Sequence, residues 1–402
     1  MRLKLIIFKI ILSLFFISNN AIAKNLPPGS GISDVPANVL ILLDKSGSMG
    51  ARMTGGASTQ YPTALAYDTN GDIFIASRTD GIKKFDYATN TLDTNWASNG
   101  SYMSWNRSSC YSYYMNDIVY HGGYIYAASY YSSYIYRMDV NTGACDMMNN
   151  RIYHRYPRAL AVKNNKLYVV GNDGTGVYDL SQPTFPRIQN YNFPNYARYA
   201  EPMTIDASGS HIYWYYDRRI NTHKLRADGT IVPQRIASPQ YENVIGRVKQ
   251  VSAHPTDDNV QYVSRYNNHS LTKITFTSSN KQAFRQTKSV GRCCNGTSNA
   301  STQYFYYPWG IKVDTTNNRV MQTSYYGSSV TAFDLNLNFI KSLGAPPKTR
   351  MQGAHEAIKA IVTDSSLTAG VNFGFAYWSS GGWWWWGSNS SYGFTNWTGD
   401  IT

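Results

Sequence analysis

The stretch NVLILLDKSGSMG, residues 38–50, ends an apolar run in Asp44, Ser46 and Ser48. Three hard oxygen side chains at alternate positions, delivered by what reads as a buried strand, suit a divalent cation. Mg²⁺ and Ca²⁺ take carboxylate, hydroxyl and water ligands in this way. A plain Ser/Gly turn after a strand is the simpler reading of the same residues. Other chemistries lack their residues. The seven histidines form no close cluster, and the four cysteines have no zinc spacing. Neither a Gly-x-Ser-x-Gly nucleophile turn nor a phosphate loop occurs. His355 and Glu356 are neighbours within a helical pattern, where solvated or packed helix residues are expected rather than an acid–base pair.

A strand-end loop of this kind should lead directly into a helix, but residues 58–343 are instead Tyr-rich and punctuated by glycine. They contain a repeat. Six segments, starting at Pro62, Asn116, Arg158, Glu201, Lys249 and Trp309, share one pattern of apolar strand, turn, second strand, gap and third strand. The first reads PTALAYDTNGDIFIASRTDGIKKFD, with Asn-Gly and Asp-Gly turns that favour hairpins. Successive starts lie 42–60 residues apart, the span of one four-stranded propeller blade. One blade cannot bury both its faces alone, so several must pack around an axis. The fold class expected is therefore mainly β, with a six-bladed β-propeller over residues 58–343. The irregular stretches 92–115 and 277–305 leave room for a seventh blade, and a β-sandwich is the competing architecture. ALAYDTNGDIFIAS also resembles an NHL-type blade. Closed propellers usually place their first and last strands in one blade, and that is expected here. Two Asp/Asn-rich runs, DTNGD (68–72) and GNDGTG (171–176), are too short for calcium-binding helix–loop–helix units and read as blade turns.

Composition points to the same class. Charged residues make up 15% of the 402, below the roughly 25% usual in soluble domains, and there are 34 tyrosines. Residues 1–23 have a basic start, an apolar middle and an Ala-Ile-Ala end, which predicts a secretory signal cleaved after Ala23. No later apolar stretch is long enough to span a bilayer. The protein is thus expected in the periplasm, at the cell surface or on a surface appendage. The formal charge is +13, but Lys and Arg are scattered. This favours weak attraction to anionic surfaces and no dedicated nucleic-acid site. Export permits disulfides. Four cysteines allow three pairings. Cys110–Cys145 is the preferred long link, which would leave Cys293 and Cys294 as a vicinal pair.

After the last repeat, Pro346 and Pro347 mark a boundary. From Lys348 to Thr363, Met351, Ala354, Ile358, Ile361 and Val362 recur at helical steps. VNFGFAYW, from Val371, then reads as a strand. Joining NVLILLDKSGSM to TRMQGAHEAIKAIVTDSSLTAGVNFGFAYW gives strand, Asp-x-Ser-x-Ser loop, helix and strand. The joined sequence resembles the start of a von Willebrand factor A domain, and in particular that of type IV pilus tip-associated biogenesis proteins and adhesins of the PilY type. The resemblance implies an A-like domain begun at residues 35–53, interrupted by the propeller, and continued at 345–402. It implies Ser46 and Ser48 as direct hydroxyl ligands, with Asp44 acting directly or through water. The ion would be Mg²⁺ or Ca²⁺, and a partner's acidic group would complete its shell. The implied activity is adhesion or pilus assembly with a protein or surface partner, and no catalysis. The family's site also takes a Thr and an Asp from later loops. Thr395, Thr398, Asp400 and Thr402 have no matching context, so the A-like domain reads as truncated, split or degenerate, with a second chain as one source of the remainder.

Four tryptophans, Trp383–Trp386, lie between glycines. They suit half-buried packing, with an exposed sugar- or membrane-facing tip as the functional alternative. The competing function is a periplasmic propeller lactonase or hydrolase with a metal in its channel.

Overall fold

The computed structural model describes residues 37–44, 59–104, 110–146, 151–192, 195–293, 302–343, 350–363, 371–379 and 391–395. The chain forms two units, residues 54–347 and residues 1–53 with 348–402.

Residues 62–343 form six antiparallel sheets in chain order. The first blade runs outward through Pro62–Tyr67, Ile73–Ser77, Ile82–Asp86 and Thr91–Leu92. The inner strands of blades 2 to 6 are Met115–His121, Ala159–Lys163, Met203–Ile205, Val248–Ala253 and Pro308–Asp314. Successive inner strands pack side by side, and the sixth meets the first. This is a six-bladed propeller. No seventh blade is needed, because the irregular stretches supply outer strands. Ser101–Tyr102 joins Thr91–Leu92 on the edge of blade 1, and Phe284–Val290 is the outer strand of blade 5.

The burial pattern follows from strand geometry. Side chains alternate between the two faces of a strand, and in a propeller both faces are covered by neighbouring blades. Ala64 and Ala66 pack toward blade 2, while Leu65 and Tyr67 pack toward blade 6. Hence all six residues of Pro62–Tyr67 are buried. Six apolar clusters result, each between two adjacent blades. In the first, Trp96 meets Phe74 edge-on, with centroids 5.5 Å apart. Cys110, buried in the same cluster, is disulfide-bonded to Cys145. The bond ties the approach to blade 2 to that blade's outer edge. Cys293 is also disulfide-bonded, and Cys294 lies outside the described residues.

The expected sharing of one blade by the first and last strands is not observed among the described residues. Every blade is built from consecutive strands, so blade 6 must close on blade 1 without a shared sheet. Close packing and long-range hydrogen bonds replace it. A Cβ on Gly310 would stand 2.7 Å from the Thr63 carbonyl oxygen, so only glycine lets these inner strands approach. The Tyr67 hydroxyl donates to the Lys312 carbonyl at 3.4 Å, and Lys341 donates to the Tyr87 carbonyl. Arg319 donates to the Gly71 carbonyl at 2.9 Å and to Asp314 at 2.7 Å, with its guanidinium 3.3 Å from the Tyr87 ring centroid. Thr59 and Leu343, near the two ends of the propeller segment, line one crevice between blades 1 and 6.

His154 gives the propeller a pH dependence. It is fully buried, with Nδ1 3.0 Å from the Tyr178 hydroxyl and Nε2 3.1 Å from the Gly174 carbonyl. A carbonyl only accepts, so Nε2 carries the proton of the neutral ring. Burial pushes its pKa down to about 4. The penalty for charging it is absent above the unfolded pKa and grows as pH falls toward the folded one. It amounts to about 2 kcal/mol by pH 5. Burial also holds His121, His223, His254 and His269 down, so each adds a loss of the same sign in this window. Urea midpoints of wild type and His154→Gln should therefore converge by about 2 kcal/mol between pH 7.5 and 5. Parallel pH curves would show that His154 does not titrate in this way.

The other unit has a three-stranded sheet in the order Ala37–Asp44, Val371–Ser379, Ser391–Thr395. The first two strands are parallel and the third is antiparallel to the second. The helix Arg350–Thr363 precedes the second strand in sequence. Ala354, Ile358 and Val362 are half-buried on it, but Ile361 is 46% exposed, so the apolar stripe expected from sequence is covered only in part. No helix among the described residues is long and apolar enough to cross a membrane.

Candidate functional site

Asp44 is the last residue of its strand and stands opposite Trp378 in the parallel register. The pairing runs without a break from Ala37 and Val371 to this point. Parallel neighbours need a crossover connection, usually helical. Open sheets of this kind bind ligands just beyond the carboxyl ends of their strands. Asp44 is at such an end. Ser46 and Ser48, like residues 1–23, Trp383–Trp386, Thr398, Asp400 and Thr402, lie outside the described residues. Thr395 ends the third strand, and His355 is exposed on the helix. All three proposed donors are hard oxygens, a set that fits Mg²⁺ or Ca²⁺.

The propeller channel offers a second set of carboxylates. In a four-stranded meander every inner strand begins on one face of the propeller, here called upstream, and ends on the other. On the downstream face a cavity of about 380 Å³ is lined by Asp68, Asp206, Asp314, Lys163, Lys312 and His254, among others. Its carboxylates are turn-formers. Asp68 accepts the N–H groups of Asn70 and Asp72, both at 2.9 Å. Asp314 accepts from Thr316 and Asn317, at 3.0 and 3.1 Å. Asp206 accepts from Ser210 at 2.8 Å and faces His211 Nδ1 at 2.7 Å. Burial pushes the Asp206 carboxyl up, but the His211 contact and the backbone donors more than offset this and hold it below the usual range. The Asp of the apolar-Ala-apolar-Asp motif therefore caps a hairpin. DTNGD is such a turn, whereas GNDGTG is a two-residue hairpin turn joining Lys166–Gly171 to Gly174–Asp179.

Deeper in the ring, Asp117 is 2% exposed. It accepts from the backbone N–H of Leu160 in blade 3, at 2.8 Å, and from Gln250 Nε2 in blade 5, also at 2.8 Å. Its own blade supplies the Ile118 N–H at 2.9 Å, and Lys312 Nζ of blade 6 lies 3.6 Å away. Burial raises its pKa, while Lys312 and these donors favour the charged form. Gln250 in turn accepts the Ile311 N–H. Sequence reading missed this knot because its members come from four blades. Among the described residues no group of three His, Cys, Asp or Glu could hold a metal ion.

The upstream face is different. Tyr61, Tyr114, Tyr156 and Tyr307 immediately precede Pro62, Met115, Pro157 and Pro308, at or next to the start of an inner strand. All four have positive φ, at 48°, 62°, 48° and 56°. Left-handed backbone in a bulky residue costs about 1–3 kcal/mol and persists where the surroundings impose it. Arg78 bonds the Tyr325 hydroxyl at 3.1 Å and stacks 3.9 Å over Tyr114. At the narrow channel mouth Lys249 pairs with Glu201 and lies 3.9 Å over Trp309.

No protein-family model matches the chain, and no curated protein matches it. Solved structures do. A protein from Lactobacillus plantarum is 14% identical over 72% of this chain and 87% of its own, with a TM-score of 0.50. The β-propeller domain of Myceliophteria thermophila Cps50 (Swd1) is 10% identical over 74% of this chain and 90% of its own, with a TM-score of 0.47. Hydrazine synthase of Kuenenia stuttgartiensis is 9% identical over 71% and 99%, with a TM-score of 0.49. Likeness at these identities concerns the fold alone.

Proposed function

We propose that this chain is an exported, non-enzymatic adhesion or type IV pilus assembly protein in which a propeller interrupts a von Willebrand factor A-like domain. The observation that carries the reading is the parallel pairing of Ala37–Asp44 with Val371–Ser379. Two strands on opposite sides of the propeller segment in sequence are neighbours in one sheet, and Asp44 ends the first of them. Insertion is feasible because Thr59 and Leu343 line one crevice. Segments whose ends lie close together can be spliced into loops without disturbing the host. Asp44, Ser46 and Ser48 would hold Mg²⁺ or Ca²⁺, and the ion would supply positive charge for a partner's carboxylate. The propeller loops would provide a second binding surface.

The enzymatic alternative requires channel carboxylates that are free to hold an ion or move a proton. Asp68, Asp117, Asp206 and Asp314 instead accept the chain's own N–H donors. Adhesion of protein-coated beads to the target surface tests the proposal. Chelation by EDTA should abolish adhesion, and Mg²⁺ or Ca²⁺ should restore it. Adhesion indifferent to EDTA would reject the metal-dependent reading.

A further inference from the structure

The tyrosines of the upstream face form one connected surface. Tyr266 of blade 5 meets Tyr307 at 4.6 Å, and Tyr307 meets Tyr326 of blade 6 at 5.4 Å. Tyr326 meets Tyr61, and Tyr61 meets Tyr325, at 5.9 and 5.2 Å between centroids. Arg78 carries the contact from Tyr325 to Tyr114. From there Tyr131, Tyr130 and Tyr156 continue at 4.8, 5.2 and 5.1 Å. Arg158 lies over both Tyr130 and Tyr199, and Arg198 also lies over Tyr199. The arc thus runs from blade 5 through blades 6, 1 and 2 to blade 3.

At its end the arc reaches a cleft of about 360 Å³ on the rim of blade 3. Arg155, Arg187 and Arg198 line it with Asn172, Asn190 and Asn192. Asp173 is there too, and accepts the Arg155 backbone N–H at 3.1 Å. Among the described residues, no carboxylate lies within ion-pair distance of Arg78, Arg155, Arg158, Arg187, Arg198 or Arg247. These are forked, weakly hydrated donors suited to carboxylate and sulfate.

We propose that this face binds an anionic polysaccharide, lying along the tyrosine arc with an acidic group in the three-arginine cleft. Three features select that occupant. Tyr131, Tyr199 and Tyr326 are the exposed rings of the arc, Tyr325 being buried beneath it, and exposed flat rings with a polar tip match the apolar faces and polar edges of pyranose rings. Asparagine amides at the cleft offer donors and acceptors for sugar hydroxyls. The guanidinium groups complement repeated negative charge, and the chain as a whole is +13. The buried core of a protein interface is usually depleted of charged residues. Here the centre is the channel mouth, occupied by the Glu201–Lys249 pair. The left-handed backbone at Tyr61, Tyr114, Tyr156 and Tyr307 fixes four rings of the surface at matching positions in four blades. The proposal extends the reading of the propeller loops as a binding surface and does not need the metal site.

Binding of the full-length chain to oligosaccharides of equal length tests it. The probes are a heparin-derived sulfated chain, an oligogalacturonate, and a neutral cello-oligosaccharide, with single-stranded DNA as an anion that lacks pyranose rings. One or both acidic sugars should bind, more weakly as salt rises, and the neutral sugar and the DNA at least about tenfold more weakly. Whichever acidic sugar binds more tightly identifies sulfate or carboxylate as the preferred group. Tyr131 and Tyr326 are 45% and 43% exposed, so their joint replacement by alanine leaves the fold intact. That variant, and Arg155→Gln with Arg187→Gln, should each weaken binding by about tenfold or more. Arg155→Lys with Arg187→Lys should restore part of it. Binding should persist in EDTA, which separates this surface from the metal-dependent adhesion. The proposal is overturned if neither acidic sugar binds, if DNA or the neutral sugar binds as tightly, or if folded variants bind like wild type.

Discussion

Replacing Asp44 by alanine should abolish divalent-dependent adhesion and leave the propeller folded. The expectation rests on chemistry and on position. Among the three donors proposed from this chain Asp44 is the only charged one, because Ser46 and Ser48 are neutral. Loss of residues that merely orient metal ligands costs about 10- to 100-fold in affinity, so loss of the sole carboxylate should exceed about a hundredfold. Asp44→Asn keeps an oxygen but removes the charge, and should fall between wild type and alanine. Ser46→Ala and Ser48→Ala should each weaken cation dependence without eliminating it. Asp44 belongs to the unit formed by residues 1–53 and 348–402, so melting of the propeller should not move. The readouts are adhesion against Mg²⁺ or Ca²⁺ concentration and a thermal scan of the same preparation. Unchanged cation dependence in Asp44→Ala would remove the metal role. If a turnover activity exists and falls with channel variants such as Asp117→Asn while Asp44→Ala retains it, the enzymatic alternative gains.

The second large effect concerns stability. Arg319→Ala should destabilise the propeller by about 3–5 kcal/mol, the usual result of removing one partner from a buried ion pair. Arg319 is 5% exposed and Asp314 is 1% exposed, so the carboxylate would be left buried without its cation. The variant would also lose the bond to Gly71 and the stacking on Tyr87, both of which cross from blade 6 to blade 1. Among the described strands no sheet is shared by these blades, so the loss falls on the seam where the ring closes. Arg319→Lys keeps the charge but cannot reach Asp314 and Gly71 with one planar fork, and should recover about half the loss. Urea denaturation followed by tryptophan fluorescence gives the value. A shift below about 1 kcal/mol, the size expected for an exposed ion pair, would mean that apolar packing between Leu65 and Met321 and their neighbours closes the ring unaided.

Much of this architecture is legible in the sequence because it is local. Repeat starts read at Pro62, Asn116, Arg158, Glu201, Lys249 and Trp309 fall within two residues of inner strands that begin at Pro62, Met115, Ala159, Met203, Val248 and Pro308. Alternating apolar residues and glycine turns act over a few residues, so one blade reveals itself without the others. Ring closure is not local. Arg319 and Gly71 are separated by nearly the whole propeller, and nothing near either of them names the other. The Asp117 knot is hidden for the same reason, since Gln250 lies 133 residues away. The upstream tyrosines did leave a signal. Tyr-Pro occurs at 61–62, 156–157 and 307–308, directly before an inner strand or one residue short of it. Tyrosine read only as composition conceals that regularity. At the strand-end loop, Asp44, Ser46 and Ser48 are visible as a donor pattern. The sheet that receives Asp44 becomes visible only when Val371–Ser379 is placed beside it.

The most direct test of the interrupted-domain account is anomalous diffraction from crystals of the whole protein soaked in Mn²⁺, a stand-in for Mg²⁺. The account predicts a peak beyond the end of the Ala37–Asp44 strand, within ligand distance of the Asp44 carboxylate and the Ser46 and Ser48 hydroxyls. A peak confined to the propeller channel, or no peak at this loop under saturating Mn²⁺, would contradict it.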